Sequence, residues 1–172
     1  KKVSNDLQKY DVKTTVLMGN HDAFTISVDD FYSILKGCEP EDIRPNAAVL
    51  CYPVISGITN PHQGSFNVLL GENASHSDLS RLSLENRVTP KTPPVFLWCT
   101  ANDDCVPAHN SLVMAKACVS NGVPVELHMW DEGPHGLSTC DKVTGWNDYF
   151  YRDNCKEWID LSLKFLAKYM DV

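Results

Sequence analysis

Apolar runs alternate with stretches of helical spacing along the chain, and this alternation predicts a mostly parallel sheet flanked by helices. Residues 47–55 (AAVLCYPVI) are almost continuously apolar, which is typical of a strand buried on both faces. Residues 95–100 (VFLWCT) have the same character, while residues 123–130 (VPVELHMW) alternate, as expected for a strand nearer the sheet edge. Residues 13–18 (KTTVLM) predict a further short strand. We therefore predict one α/β domain over residues 1–172.

Helical patterns lie between and after these strands. A helix over residues 110–121 is predicted to end at Gly122, because glycine is a favoured helix-ending residue. Its apolar stripe consists of Leu112, Ala115 and Val119. A C-terminal helix from about residue 154 presents a second stripe of Trp158, Leu161, Phe165 and Tyr169, which we expect to lie on the sheet.

The segment 57–92 differs from the rest of the chain. It is rich in Asn, Ser, Gly and Pro, and it contains one short helical pattern, over residues 78–86. It is long for a plain connection inside a compact domain. We interpret it as a lid-like excursion that contacts substrate, the alternative being an ordinary surface loop.

Composition and charge limit the possible partners. The chain has 15 Lys and Arg against 22 Asp and Glu, a net charge of −7, which argues against nucleic acid as a partner. No apolar run approaches the roughly 18 residues needed to cross a bilayer, so no membrane partner is expected. The polar start KKVSNDLQKY lacks the apolar stretch of a signal peptide. The expected location is cytoplasmic.

Seven cysteines are spread singly along the chain, with no C-x-x-C pair of the kind that binds zinc or exchanges disulfides. We interpret them as reduced thiols, mostly in the core, rather than as a disulfide framework. No metal site and no cofactor is predicted.

Candidate catalytic residues follow two of the predicted strands. The loop after residues 95–100 contains Asp103, and the loop after residues 123–130 contains His135 between Gly133 and Gly136. Loops at the carboxyl ends of parallel strands gather at one edge of a sheet, so the two side chains are placed to meet. A carboxylate that accepts the Nδ1 proton of a histidine fixes its tautomer and stabilises the imidazolium formed during proton transfer.

Three sequence segments that include these loops resemble the C-terminal half of the α/β-hydrolase esterases, in particular the acetyl-esterase or xylan-esterase-like sugar hydrolases. The matching runs, in order, are RPNAAVLCYPV, TPPVFLWCTANDDCVPAHNSL and VPVELHMWDEGPHGLS, and the match extends from about Arg44 to the C-terminus. Residues 1–40 match weakly. The resemblance implies that Asp103 is the acid and His135 the base of a catalytic triad. Asp104 is the alternative acid if the register differs by one residue.

The nucleophile of that family stands in G-x-S-x-G on a strand-to-helix turn, and no such motif exists in this chain. The corresponding turn would be Gly19-Asn20-His21-Asp22, which places a histidine at the serine position. We therefore expect the nucleophile and the oxyanion hole to be lacking in this chain. The four residues also resemble the metal-ligand loop of calcineurin-like metallophosphoesterases, without that family's other ligand motifs.

The resemblance thus implies a carboxylic ester hydrolase that acts on small acyl esters such as acetylated sugars. The alternatives are an inactive hydrolase-like domain that binds a ligand or partner, and a metallophosphoesterase fragment. An α/β-hydrolase sheet has about eight strands and this chain supplies about four, so we expect the exposed edge of the first strand to be covered. A homo-oligomer or a missing N-terminal half would cover it.

Overall fold

A computed structural model describes residues 45–145 and 147–169. The chain divides into two units, Lys1–Asn46 with Val172 and Ala47–Asp171, and the fold below is that of the second. The predicted strand at residues 13–18 and the motif at residues 19–22 lie outside the described residues.

The described sheet has three parallel strands in the order β1-β2-β3, as the alternating pattern predicts. The strands are β1 (Ala48–Cys51), β2 (Val95–Thr100) and β3 (Val125–Trp130). The helices are α1 (Gln63–Leu70), α2 (His76–Leu82), α3 (His109–Ser120) and α4 (Trp158–Leu166). Short 3₁₀ turns span Leu84–Arg87, Asp148–Phe150 and Asp153–Cys155.

The central strand β2 is buried along its whole length, and its bounds agree with the prediction. The other two strands are shorter than their apolar runs. β1 ends at Cys51 because Tyr52 has a positive φ of 38°, and β1 is half-buried rather than buried on both faces. β3 begins at Val125 because Pro124 has no N–H to donate to the ladder.

Two apolar clusters lie on opposite faces of the sheet, and the side chains of β2 alternate between them. Val95 and Leu97 face the α3 cluster, where Ile55, Met114 and Cys118 are also buried. The α4 cluster contains Phe96, Trp98, Leu137, Cys140, Cys155 and Phe165. The predicted stripe of the C-terminal helix packs here, since Trp158, Leu161 and Tyr169 are partly buried against this cluster. Burial of β2 on both faces explains its continuous apolar run.

Only Ala115 of the predicted α3 stripe packs against the core. Leu112 and Val119 are 45% and 70% exposed, whereas the buried residues are Asn110, Ser111, Met114 and Cys118. The apolar pattern misleads here because hydrogen bonds make burial of the polar first turn favourable. Oδ1 of Asn110 accepts from the backbone N–H groups of Ile55 and Ser56, at 2.9 Å each.

The segment 57–92 has more regular structure than predicted. It contains α1 and α2, whereas its composition predicts one short helix over residues 78–86. Ser75 caps α2 by accepting from the N–H of Asp78, so α2 begins at His76, two residues before the predicted start. α1 has no side-chain cap and only Phe66 is buried, so its sequence signal is weak. Buried Ser83 accepts from the N–H of Gly57 at 2.9 Å, which fixes the base of the segment.

The six cysteines in the described part of the chain are free, and the prediction of reduced thiols stays a prediction. Four are buried, Cys51 is half-buried and Cys105 is exposed. Within residues 45–145 and 147–169, no helix is both long and apolar enough to cross a membrane.

Asn110→Ala is expected to destabilise the fold by about 2–4 kcal/mol, because it leaves two buried N–H groups without a partner. Equilibrium unfolding in urea measures this loss. Asn121→Ala is the matched control, since Asn121 donates a single bond to Ala117 O at 2.9 Å. We expect it to cost about 0.5 kcal/mol. Equal losses in the two variants would contradict the role given to Asn110.

Candidate active site

The loops that follow β2 and β3 leave the sheet side by side. Thr100 pairs with Trp130 at the end of the ladder, and the N–H of Ala101 donates to Trp130 O at 2.8 Å. Parallel strands end at the same edge, so both loops extend over it. This pairing brings the two predicted site residues together.

Asp103 and His135 are in direct contact. Oδ2 of Asp103 lies 2.9 Å from Nδ1 of the imidazole. The Asp103 side chain is 1% exposed and the His135 side chain 30% exposed, so the carboxylate is shielded while part of the ring is open to solvent. An imidazole held through Nδ1 by a carboxylate presents Nε2 for proton transfer. No residue in the described ranges forms a hydrogen bond with that Nε2.

The local sequence after Asp103 holds its carboxylate in place. Oδ1 accepts from the N–H groups of Cys105 and Val106, at 2.9 and 2.8 Å, an arrangement typical of aspartate in a turn. Oδ1 therefore faces the Asp103 turn, and Oδ2 faces the imidazole.

Two glycines shape the turn that carries His135. Gly136 has a φ of +79°, a conformation that glycine adopts without a steric penalty. At Gly133 a Cβ atom would meet Leu137 and Thr100 at 2.8 and 2.9 Å, so a larger residue would push the turn away. The hydroxyl of Thr100 donates to Gly133 O at 2.6 Å, and Oδ1 of Asn102 accepts from the Gly133 N–H at 2.8 Å.

Asp104 does not contact the imidazole. Its Oδ1 accepts from the backbone N–H of His135 at 3.1 Å, and its Oδ2 accepts from the Tyr149 hydroxyl at 2.8 Å. Both bonds lower the pKa of the Asp104 carboxyl, and the bond from the His135 N–H has the larger effect. Of the two acids considered from the sequence, Asp103 is the one that bonds the ring.

Tyr52 belongs to the site although sequence analysis did not single it out. Its ring packs edge-on against His135, at 4.8 Å between centroids, and against buried Trp98, at 5.0 Å. Its hydroxyl accepts from the N–H of Ser138 at 3.2 Å. Burial raises the pKa of the Tyr52 hydroxyl. The residue is aromatic at a strand end, a pattern common to core residues, so the sequence contains no signal that distinguishes this role.

Two other histidines of the described residues, His62 and His128, bond groups outside this pair. Nε2 of His128 bonds Glu126 at 2.9 Å on β3. Nε2 of His62 lies 3.5 Å from Sγ of Cys105, and its Nδ1 bonds Ser65 at 2.9 Å. Through Cys105 the segment 57–92 reaches the loop of Asp103. Within the described residues no three His, Cys, Asp or Glu side chains are grouped to hold a metal ion.

A parallel sheet with an acid after one strand and a histidine after the next defines the α/β-hydrolase class of fold, of which this chain forms a part. The Peptidase S9 model, described as the prolyl oligopeptidase family, matches residues 58–171. The chain belongs to the prolyl oligopeptidase family.

Solved structures of hydrolases are similar to this chain. An acetyl ester-xyloside bifunctional hydrolase from Caldicellulosiruptor lactoaceticus is 40% identical, with a TM-score of 0.58 over 76% of this chain and 48% of its own. A sugar hydrolase from Lactococcus lactis is 30% identical, with a TM-score of 0.65 over 79% of this chain and 53% of its own. The chain thus spans about half the length of these proteins.

A curated relative is an endo-1,4-beta-xylanase B from Butyrivibrio fibrisolvens. It is 32% identical over 157 residues, which cover 84% of this chain and 24% of the relative. The similarity therefore concerns about a quarter of that protein.

Asp103→Asn is expected to reverse the tautomer of His135. The amide can turn its NH₂ toward the ring, so that Nδ1 becomes an acceptor and the proton moves to Nε2. Nitrogen NMR of ¹⁵N-histidine-labelled protein distinguishes the two tautomers. Asp131→Asn, an exposed aspartate in the loop after β3, is the matched control and should leave the spectrum unchanged. An unchanged His135 signal in Asp103→Asn would contradict the assigned hydrogen bond.

Iodoacetamide is expected to alkylate Cys105 before the other five described cysteines, because Cys105 is the exposed one among them. Partial burial raises the pKa of this thiol, and the nearby Asp103 and Asp104 carboxylates raise it further. The reaction at neutral pH should therefore be slower than that of free cysteine. Peptide mapping by mass spectrometry measures it, with Cys105→Ser as the control. Earlier labelling of a buried thiol would contradict the exposures described.

Proposed function

We propose that this chain is part of a serine-type carboxylic ester hydrolase, in which His135 is the general base and acid and Asp103 orients it. The observation that carries the proposal is the 2.9 Å contact between Asp103 Oδ2 and His135 Nδ1. The partial exposure of the imidazole and the shielding of the carboxylate support the same roles.

The proposed chemistry is proton transfer at Nε2 of His135. The imidazole takes the proton of a nucleophilic hydroxyl as that oxygen attacks the ester carbonyl, and the alcohol leaves with the same proton. Water then gives a proton to the imidazole and attacks the acyl group that the nucleophilic oxygen now carries. The nucleophile takes the proton back as the carboxylic acid leaves. The negative Asp103 stabilises the imidazolium that exists between these steps.

Small acyl esters, acetyl esters of sugars in particular, are the substrates we propose. The name of the acetyl ester-xyloside hydrolase supports acetyl esters, and the name of the sugar hydrolase supports a sugar substrate. The relative named as a xylanase supports a carbohydrate context. Residues 57–92 are proposed to border the substrate, because His62 in this segment contacts Cys105, two residues after Asp103.

The nucleophile of the proposed reaction is not identified in this chain, since it contains no G-x-S-x-G. We propose that a further segment of a longer protein covers the edge of β1 and supplies the nucleophile. A second copy of this chain would cover the edge without supplying the motif, because it has the same sequence. Within the described sheet β1 pairs only with β2, which supports an additional neighbour on its other side.

The same missing motif favours a second candidate function. A hydrolase-like domain without a nucleophile would bind an ester or a partner at this edge of the sheet without turnover. The two candidates make different predictions for the role of the imidazole, because binding without turnover needs no proton transfer.

The test is hydrolysis of 4-nitrophenyl acetate by the chain and by His135→Ala. An oriented imidazole also assists the attack of water on an activated ester, so the wild-type chain is expected to exceed the variant by about 100-fold. His76→Ala is the matched control, because His76 lies at the start of α2 and is exposed. Its rate should equal that of the wild type.

Equal rates for the wild type and His135→Ala would leave the binding domain as the function. Hydrolysis of a prolyl peptide substrate, with none of acetyl esters, would replace the ester class by a peptidase. Metal-dependent cleavage of a model phosphodiester to an alcohol and a phosphate monoester, lost in His21→Ala, would instead support the metallophosphoesterase.

A further inference from the structure

We propose that Asp104 and Tyr149 are positioning residues that hold the backbone of His135 at the distance at which its ring meets Asp103. The proposal rests on the proposed function, which gives the ring contact its catalytic role. Its structural basis is the set of hydrogen bonds between the two loops. The hydrogen bonds of Asp104 go to the backbone of His135 and to Tyr149, not to the imidazole.

Alternate side chains at the end of β2 and in the loop after it bind the loop after β3. Thr100, the last residue of β2, donates to Gly133 O, Asn102 accepts from Gly133 N, and Asp104 accepts from His135 N, at 2.6, 2.8 and 3.1 Å. All three bonds join a side chain to the backbone of the loop after β3. They continue the alignment of β2 with β3 beyond the last pair of the sheet, and the bond of Asp104 is the one nearest the imidazole.

Consecutive carboxylates therefore hold a single residue at two points. Asp103 bonds the ring of His135 and Asp104 bonds its backbone N–H. A ring held only through Nδ1 can follow movements of its own loop, whereas a fixed backbone limits the ring to rotation about its side-chain bonds. The geometry thus gives the second aspartate of Asp103-Asp104 a role separate from that of the first.

Asp104 needs a further contact because it is exposed, and an exposed carboxylate otherwise rotates freely in water. The Tyr149 hydroxyl supplies it with a 2.8 Å bond to Oδ2. Tyr149 is itself held in the 3₁₀ turn Asp148–Phe150, where Asn147 Oδ1 accepts from its N–H at 2.9 Å. The bond to Asp104 also raises the pKa of the Tyr149 hydroxyl, as expected when a hydroxyl donates a hydrogen bond to a carboxylate.

The exposure of both side chains separates positioning from folding. Asp104 is exposed and Tyr149 is 51% exposed, so their truncation removes little buried surface. We therefore expect a change at the imidazole with the unfolding midpoint in urea nearly unchanged. A residue with a merely structural role would show the opposite result.

The experiment measures exchange of the His135 Nδ1 proton with water in ¹⁵N-histidine-labelled protein, with the signal assigned by its loss in His135→Ala. Asp104→Ala is expected to speed exchange by about tenfold, the effect of losing one bond to a charged group. Tyr149→Phe should give a smaller increase. Asp104→Asn keeps an acceptor oxygen for the His135 N–H and should restore the wild-type rate within about twofold.

Two variants serve as matched controls. Asp153→Ala removes an exposed aspartate that bonds Lys156, and Tyr169→Phe alters a tyrosine that packs on Phe165. Both should leave proton exchange within about twofold of the wild type. Unchanged exchange in Asp104→Ala would overturn the proposal. Equal acceleration in Asp104→Asn would also overturn it, because the charge rather than the position would then be responsible.

The readout is independent of the proposed ester hydrolysis. Faster exchange in Asp104→Ala with no His135-dependent hydrolysis supports the positioning role and contradicts the proposed function. His135-dependent hydrolysis with unchanged exchange in Asp104→Ala supports the function and contradicts the positioning role.

Discussion

The parallel pairing of β2 with β3 is the constraint on which the candidate site depends. Because the two strands run in the same direction and in register to Thr100 and Trp130, their following loops begin next to each other. An antiparallel neighbour would have placed the second loop at the opposite edge. The separation of 32 residues between Asp103 and His135 is bridged by this pairing and by α3, which returns the chain to the start of β3.

Burial differs between the two members of the pair, and this difference suits their proposed roles. Asp103 is shielded and its carboxylate is held by three hydrogen bonds, so its orientation is fixed before any substrate arrives. His135 is partly open, as a group that exchanges protons with a substrate must be. Tyr52 and Trp98 pack behind the ring and connect it to the apolar cluster of α4, so the exposed side of the site rests on a rigid aromatic base.

The differences between prediction and structure have local physical causes. The apolar stripe of α3 misidentified its buried face because Asn110 is satisfied by backbone groups of another segment, which periodicity does not detect. β1 is shorter than its apolar run because Tyr52 leaves the strand conformation. α1 was not predicted because it has neither a side-chain cap nor a buried stripe. Of these cases, that of α3 depends on contacts between residues far apart in the sequence.

The sequence by itself determined the class of fold, the bounds of β2, the stripe of α4 and the two loops that bear acid and histidine, because apolar period and turn residues are local properties. The residue chemistry alone did not distinguish the two adjacent aspartates, since both are carboxylates in the same turn, whereas the family resemblance favoured Asp103 and kept Asp104 as the alternative. Only the tertiary structure decided that Asp103 meets the ring while Asp104 meets the backbone. The reason is geometric: consecutive side chains point in different directions, and the partner that each one reaches is set by a neighbouring strand.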